Sequence, residues 1–183
     1  MKEDKLIIGL AGKIGTGKSL ISEHLKTKGF EVIDVGGFFK ELTYELFKTT
    51  EREKMEYLSK TMDSFFPNFA AWYMLARIYS TKSKKIVIDS VREPGEIEVL
   101  RKFVDIKIIC LYCEDEERIK RILKRSSEKD PKTEEEIEKM FKKTPSEKDV
   151  EKIIEKGMFD LYIDTTNLTK EQVIELVEKF VEP

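Results

Sequence analysis

The feature that most constrains this chain of 183 residues is a glycine-rich segment near its start, Gly12-Lys13-Ile14-Gly15-Thr16-Gly17-Lys18-Ser19. The segment fits the pattern G-x-x-x-x-G-K-[ST] and directly follows the apolar run at residues 6–10. In that context the glycines allow successive backbone N–H groups to surround an anion, and the next helix directs its positive dipole end at the same phosphates. The pattern predicts that Lys18 binds the β- and γ-phosphates of ATP and that Ser19 coordinates Mg²⁺.

Apolar, β-branched runs alternate with longer helical stretches along the chain. The five runs are residues 6–10, 30–33, 85–89, 106–111 and 161–164. Nearly continuous apolar strands are buried on both faces, so this alternation predicts an α/β fold with a parallel sheet covered by helices. We expect one domain over residues 1–183, because the chain is too short for two well-packed domains. Residues 35–84 are expected to form a helical insertion that binds an acceptor. Residues from about 118 to 146 are expected to form a lid region, of which 126–145 is a mobile, solvated flap.

Charge and hydropathy exclude several classes of function. The chain has 34 basic and 36 acidic residues, and its formal net charge is −2. No general positive field favours a nucleic-acid partner. No signal-peptide pattern is present, and no apolar run approaches the ~20 residues of a membrane span, so we expect a cytoplasmic protein with no membrane partner. The dense, balanced Lys and Glu content is typical of heat-adapted proteins, although a mesophile surface can have the same composition.

An acidic and a basic candidate lie at the end of the third apolar run. Asp89 ends that run, where a protein with this loop keeps its second Mg²⁺ group, and Arg92 comes three residues later. Because ligands of α/β folds bind beyond the carboxyl ends of the strands, Arg92 is expected to hold the phosphate of an acceptor. A surface ion pair with Glu93 or Glu96 is the alternative.

Three arginines at positions 118, 121 and 125 share one face of a predicted helix. Such a stripe could stabilise the charge that spreads over a migrating phosphoryl group, with Arg121 and Arg125 covering it. A solvated charged face is the alternative, because Lys120 and Lys124 are interleaved with the arginines.

At these residues the chain resembles the small P-loop nucleotide kinases, namely the nucleoside monophosphate kinases and their close relatives, the dephospho-coenzyme A kinases. Residues 36–42 are similar to the acceptor segment of cytidylate kinases, residues 89–92 to the Asp-to-Arg element of deoxynucleotide kinases, and residues 159–169 to the last strand and turn of cytidylate kinases. The resemblance implies a three-layer α/β/α fold with strand order 2-3-1-4-5, Asp34, Gly36 and Lys40 as acceptor-binding residues, and Arg118 stacked on the donor base.

Two departures from the family pattern affect the acceptor. Lys40 stands where the family has Arg, and Gly37 replaces an acid. Dephospho-coenzyme A kinases carry Asp-x-Asp after the second strand, whereas this chain has Asp34-Val35-Gly36. A monophosphate oxygen is already an anionic nucleophile and needs no strong base.

The sequence therefore predicts an ATP- and Mg²⁺-dependent kinase that phosphorylates a nucleoside monophosphate, acting as a monomer or homodimer. Dephospho-coenzyme A kinase is the alternative within this class. A nucleotide-binding module without catalytic activity is the alternative from another class. The acceptor's base and sugar stay open.

Overall fold

The computed structural model describes residues 5–125 and 131–181. Within them lies a five-stranded sheet in the order β2-β3-β1-β4-β5, and all neighbouring strands are parallel. The strands are β1 (Leu6–Gly12), β2 (Glu31–Ile33), β3 (Lys85–Val91), β4 (Ile106–Tyr112) and β5 (Leu161–Asp164). The predicted fold class and strand order are confirmed.

Helices cover both faces of the sheet because successive strand residues point to opposite sides. They are α1 (Lys18–Thr27), α2 (Val35–Phe47), α3 (Arg52–Phe65), α4 (Phe69–Ser80), α5 (Pro94–Phe103), α6 (Asp115–Arg125), α7 (Glu134–Lys143), α8 (Pro145–Glu155) and α9 (Lys170–Val181). On β1, Ile7 packs with α4, α5 and α8, whereas its neighbour Ile8 packs with α1 and α9. Truncating a core residue such as Ile108, which is fully buried, to alanine is expected to cost about 2–5 kcal/mol.

Residues 35–84 contain α2, α3 and α4. The composition of α4 suggests burial on all sides, yet the structure buries only one face, through Ala71, Met74 and Ile78. Trp72 is 38% exposed on the other face, and its ring lies 5.3 Å from that of Phe103, centroid to centroid. The rings of Phe66 and Phe103 lie beside Trp72 on this outer face.

The described part of the predicted flap contains a capped helix that has one buried face. Helix α7 begins with a reciprocal capping box between Thr133 and Glu136, and it buries Ile137 against Ile119 and Ile122 of α6. One apolar face of α7 thus packs on α6, whereas most residues of α7 are exposed, so a mobile, solvated flap stays a prediction for this part. Residues 126–130 lie outside the described residues.

Within the described ranges, none of the helices has both the length and the apolar character needed to cross a membrane.

Candidate active site

The glycine-rich loop joins the carboxyl end of β1 to the first turn of α1. Gly15 and Gly17 have φ values of 85° and 108°, in the left-handed region that favours glycine. Gly17 is the N-cap residue of α1, so the helix begins at Lys18. The loop therefore presents backbone N–H groups and a helix N-terminus to one point, which is the arrangement that binds phosphates.

The Lys18 ammonium lies inside the loop. Its Nζ donates to the carbonyl oxygens of Gly12 and Lys13, at 2.5 and 2.9 Å. Burial and the nearby Arg92 guanidinium lower the pKa of Lys18 to about 8. A phosphate group bound here would stabilise the charged ammonium, because an opposite charge favours the ionised form.

Two neighbouring carboxylates lie where β2 ends and near the end of β3. Asp34 caps α2 by accepting a hydrogen bond from the backbone N of Gly37 at 2.6 Å. Asp89 lies within β3, and its Oδ1 accepts from the backbone N of Val35 at 3.1 Å. Burial and the neighbouring Asp34 charge raise the pKa of Asp89 to about 6. A cation at this edge would offset the two negative charges.

The residues at this edge fit a magnesium ion. Carboxylate and hydroxyl oxygens are the donors that Mg²⁺ prefers, and it binds through one or two carboxylates together with substrate phosphates and water. Ser19, which is exposed at the start of α1, supplies a hydroxyl, and Asp89 supplies a carboxylate. Among the residues that the structure describes, no group of three or more His, Cys, Asp and Glu side chains could hold a metal without other ligands.

Arg92 is positioned by the segment that follows β3. Its Nε donates to Ser90 Oγ at 3.0 Å, and a β-carbon on Gly36 would lie 4.0 Å from its Nη2. Glu96 binds the backbone N of Arg92 at 2.7 Å, so this carboxylate holds the main chain. Burial raises the pKa of Glu96 to about 7.

A single cavity of about 1520 Å³ connects the loop with the candidate acceptor residues. All eight loop residues line it, together with Gly36, Lys40 and Arg92 from one side and Arg121 and Arg125 from another. Asp34 and Asp89 are not among the lining residues, although their neighbours Val35 and Ser90 are.

Arg118 is not in a position to stack on a base. The residue is fully buried behind the loop, and its Cζ lies 3.9 Å from the centroid of the Phe141 ring. Its guanidinium pairs with Asp115 and Glu147 and donates from Nε to the Ile14 carbonyl at 2.6 Å. The base-stacking prediction is wrong for this residue, because the guanidinium is enclosed by protein groups and does not line the cavity.

Arg121 and Arg125 both line the cavity, in contrast to Arg118. Arg121 donates from Nη1 to Thr165 Oγ1 at 2.9 Å and from Nη2 to Thr165 O at 2.6 Å. Thr165 in turn donates to the carbonyl of Thr16 in the loop at 3.1 Å. The turn after β5 is thereby connected to the phosphate-binding loop.

Sequence reasoning missed two groups of residues. Arg52, Glu56 and Lys60 line the cavity from α3, and their four-residue spacing, which places them on one helix face, was the available signal. Glu147, which is 5% exposed, gave no signal because it lies in a segment rich in Lys and Glu.

Comparison with known proteins shows the family and the fold of this chain. A family model described as AAA domain (AAA_18) matches residues 8–141. The chain belongs to this family. A UPF0200 protein of Pyrococcus abyssi is 29% identical over 138 residues, which cover 72% of this chain and 74% of the relative. A UPF0200 protein of Sulfurisphaera tokodaii is also 29% identical, over 69% of this chain and 70% of its own.

Solved structures with the same fold include several kinases. Shikimate kinase from Bacteroides thetaiotaomicron superposes with a TM-score of 0.60 at 13% identity, covering 97% of this chain and 99% of its own. A sugar kinase from Janibacter has a TM-score of 0.58 at 17% identity, covering 97% and 95%. At these identities the similarity establishes the P-loop kinase fold.

Proposed function

We propose that this protein is an ATP- and Mg²⁺-dependent phosphotransferase whose acceptor is a nucleoside monophosphate. The observation that carries the proposal is the single cavity that joins a phosphate-binding loop to a second cationic position at Arg92 and Lys40. A donor triphosphate and an acceptor phosphate could occupy the two ends of this cavity together.

In the donor half, the loop from Gly12 to Ser19 binds the triphosphate, and Lys18 neutralises charge on its β- and γ-phosphates. Ser19 and Asp89 are the residues that would hold Mg²⁺. When bound, the ion would supply neutralisation of phosphate charge. Arg121 lines the cavity beside Thr165, and we assign it to the donor base in place of Arg118, instead of to the migrating group as the sequence suggested. Arg125 is proposed to cover the migrating group.

In the acceptor half, Arg92 provides a planar pair of donors for phosphate oxygens, and Ser90 fixes the direction of its side chain. Lys40 adds a second charge, and Gly36 lines the same end. Asp34 is adjacent in sequence to the lining residue Val35 but does not itself line the cavity. An acceptor phosphate oxygen attacks the γ-phosphorus while the bond to the β,γ-bridging oxygen breaks. The products are ADP and a nucleoside diphosphate. The attacking oxygen is already anionic, so no side chain needs to accept a proton.

The α3 wall gives the acceptor site a mixed polar character. Arg52, Glu56 and Lys60 line the cavity there. Burial raises the pKa of Glu56 despite the nearby positive charges of Arg52 and Arg92. A wall with both carboxylate and cationic groups suits the hydrogen-bonding edge of a base or a ribose better than a purely apolar acceptor.

A hydroxyl acceptor, as in a dephospho-coenzyme A kinase, is the second candidate. The observation that favours it is the Asp34 carboxylate beside the cavity-lining residues Val35 and Gly36; to accept a proton from an attacking hydroxyl, it would have to turn toward the cavity. Two proteins of the same fold are named for shikimate and for a sugar, both of which carry hydroxyl groups. Against it, one Asp34 oxygen is already bound to the backbone of Gly37.

An acceptor panel separates these candidates. Wild-type protein is incubated warm with Mg·ATP and each common nucleoside monophosphate, the deoxy forms, dephospho-coenzyme A and shikimate, and the products are separated by chromatography. Formation of a nucleoside diphosphate supports the proposal, and transfer only to a hydroxyl supports the second candidate. Tight ATP binding without transfer to any acceptor would indicate a nucleotide-binding module that lacks kinase activity.

A further inference from the structure

The buried ion pair between Arg118 and Glu147 lies against the tip of the phosphate-binding loop. The two side chains are 1% and 7% exposed. Arg118 is on α6 and Glu147 is on α8, so the pair joins these two helices. Burying two charges is costly unless they are paired and hydrogen-bonded, and a pair of apolar residues is often at least as stable. Stability alone therefore does not account for this pair.

Arg118 and Glu147 bind the backbone N–H and carbonyl of the loop residue Ile14. Glu147 Oε1 accepts from the backbone N of Ile14 at 2.9 Å, and Arg118 Nε donates to the carbonyl of Ile14 at 2.6 Å. Glu147 Oε2 accepts from Arg118 Nη2, which closes the ring of contacts. The Ile14 side chain packs against Ile119 and Ile122. The loop tip is thus held by main-chain and side-chain contacts together.

These contacts set the direction of two peptide groups. In a planar trans peptide the carbonyl and the following N–H point in opposite directions. Since the Ile14 carbonyl faces Arg118, the N–H of Gly15 faces away from it, and Gly15 lines the cavity. Since the Ile14 N–H faces Glu147, the carbonyl of Lys13 faces the loop interior, where Lys18 Nζ binds it at 2.9 Å.

We propose that Arg118 and Glu147 are positioning residues for the donor triphosphate: they orient the Ile14 peptides so that the Gly15 N–H and Lys18 face the phosphates. They also tie the loop to α6 and α8. The inference rests on the proposed function only in its use of a triphosphate as donor, and it does not depend on the acceptor. Neither residue contacts the nucleotide in this account. Both act through Ile14.

The test uses a double variant that keeps the buried volume but removes the charges, Arg118→Met with Glu147→Leu. Its thermal midpoint is compared with that of the wild type, and its affinity for Mg·ATP is measured by titration calorimetry. We expect a folded protein whose Kd for Mg·ATP is raised tenfold or more, because hydrogen bonds to charged groups are lost when Gly15 turns. A double variant that folds and binds Mg·ATP within twofold of the wild type overturns the proposal.

A milder variant covers the case in which the double variant does not fold. Glu147→Gln keeps an oxygen that can accept from Ile14 but removes the charge opposite Arg118. We expect a smaller, severalfold rise in Kd, and an unchanged Kd overturns the proposal. Asp115→Ala is the matched control, because Asp115 pairs with the same guanidinium, is 66% exposed and does not touch Ile14. Its Kd should stay within twofold, and a loss equal to that of Glu147→Gln counts against a role through Ile14.

The outcomes separate this inference from the proposed function. Wild-type protein that binds Mg·ATP but phosphorylates no acceptor contradicts the kinase proposal. The positioning role is still tested in that case, because the Kd values of the variants for Mg·ATP can be compared with that of the wild type. An active kinase whose variants retain full affinity contradicts only the positioning role. Wild-type protein that binds no triphosphate contradicts both.

Discussion

The donor and acceptor ends of the cavity are built in different ways. At the donor end, the loop is fixed from several sides by a left-handed glycine backbone, by Lys18, and by the buried contacts of Arg118 and Glu147. At the acceptor end, Arg92 is held through one side-chain contact to Ser90, and the wall is formed by surface helices. If the proposed function holds, we expect the loop to set the chemistry and α2 and α3 to set the identity of the acceptor.

The strongest test of the donor end removes its central charge. Lys18→Ala should lower kcat/KM by about 10³-fold, because loss of one group aimed at the transition-state charge costs about 10²–10³-fold and Lys18 carries a full charge. Product formation under saturating acceptor measures the effect. Lys179→Ala is the control, since Lys179 pairs with Glu175 on the surface of α9 at 2.6 Å. Activity of the Lys18 variant within tenfold of the wild type contradicts the assigned role.

The stability of the donor end should depend on its buried pair. Glu147→Ala leaves the Arg118 guanidinium with one buried partner fewer, and the free energy of unfolding should fall by at least about 3 kcal/mol. Asp115→Ala, which removes an exposed partner of the same guanidinium, should cost less than about 1 kcal/mol. Urea denaturation measures both. Equal losses for the two variants are inconsistent with the contrast in their burial.

The acceptor end is tested by a conservative change. Arg92→Lys keeps the charge but removes the planar pair of donors, so kcat/KM for the acceptor should fall by up to about 100-fold. The KM for ATP should change by less than about threefold, since Lys18 and the loop are intact. Arg101→Lys is the matched control, because Arg101 pairs with Asp160 at the surface. An equal rise in the KM for the acceptor and the KM for ATP would show that Arg92 does not act on the acceptor alone.

The smallest expected effect is a pH dependence at the acceptor end. Because burial raises the pKa of Glu96 to about 7, the folded protein binds this proton more tightly than the unfolded chain does. The free energy of unfolding should therefore fall as the pH rises from 5 to 7, by about 2 kcal/mol from this group. In the Glu96→Gln variant, the free energy of unfolding should not show this part of the decline with pH. Glu98→Gln, on the exposed side of α5, should retain it. A Glu96→Gln decline as steep as that of the wild type contradicts the assignment.

The sequence predicted the strands and the phosphate-binding loop, because both depend on patterns of neighbouring residues. The five apolar runs gave the strands, the resemblance gave their order, and the glycine spacing located the loop. Asp89 and Arg92 were predicted as site residues because parallel strands end at one edge, and the structure shows Arg92 but not Asp89 lining the cavity. The roles within the 118, 121 and 125 stripe could not be assigned in this way. Helical spacing places the three arginines on one face, but Arg118 is turned behind the loop by Glu147, which lies 29 residues further along the chain.

The α3 wall was missed for a related reason. Arg52, Glu56 and Lys60 have the spacing of a surface stripe, and in a chain this rich in charge such stripes are common. The tertiary contacts of α3 with α2 and α4 turn this stripe toward the cavity. The acceptor base accordingly stayed open.

The most direct test of the central claim is a product assay with Mg·ATP and the full set of nucleoside monophosphates, run with wild-type protein and Lys18→Ala side by side. We expect that at least one monophosphate is converted to its diphosphate with stoichiometric formation of ADP, and that Lys18→Ala lowers this rate by about 10³-fold. Absence of diphosphate from every acceptor, with wild-type protein that binds Mg·ATP, would contradict it.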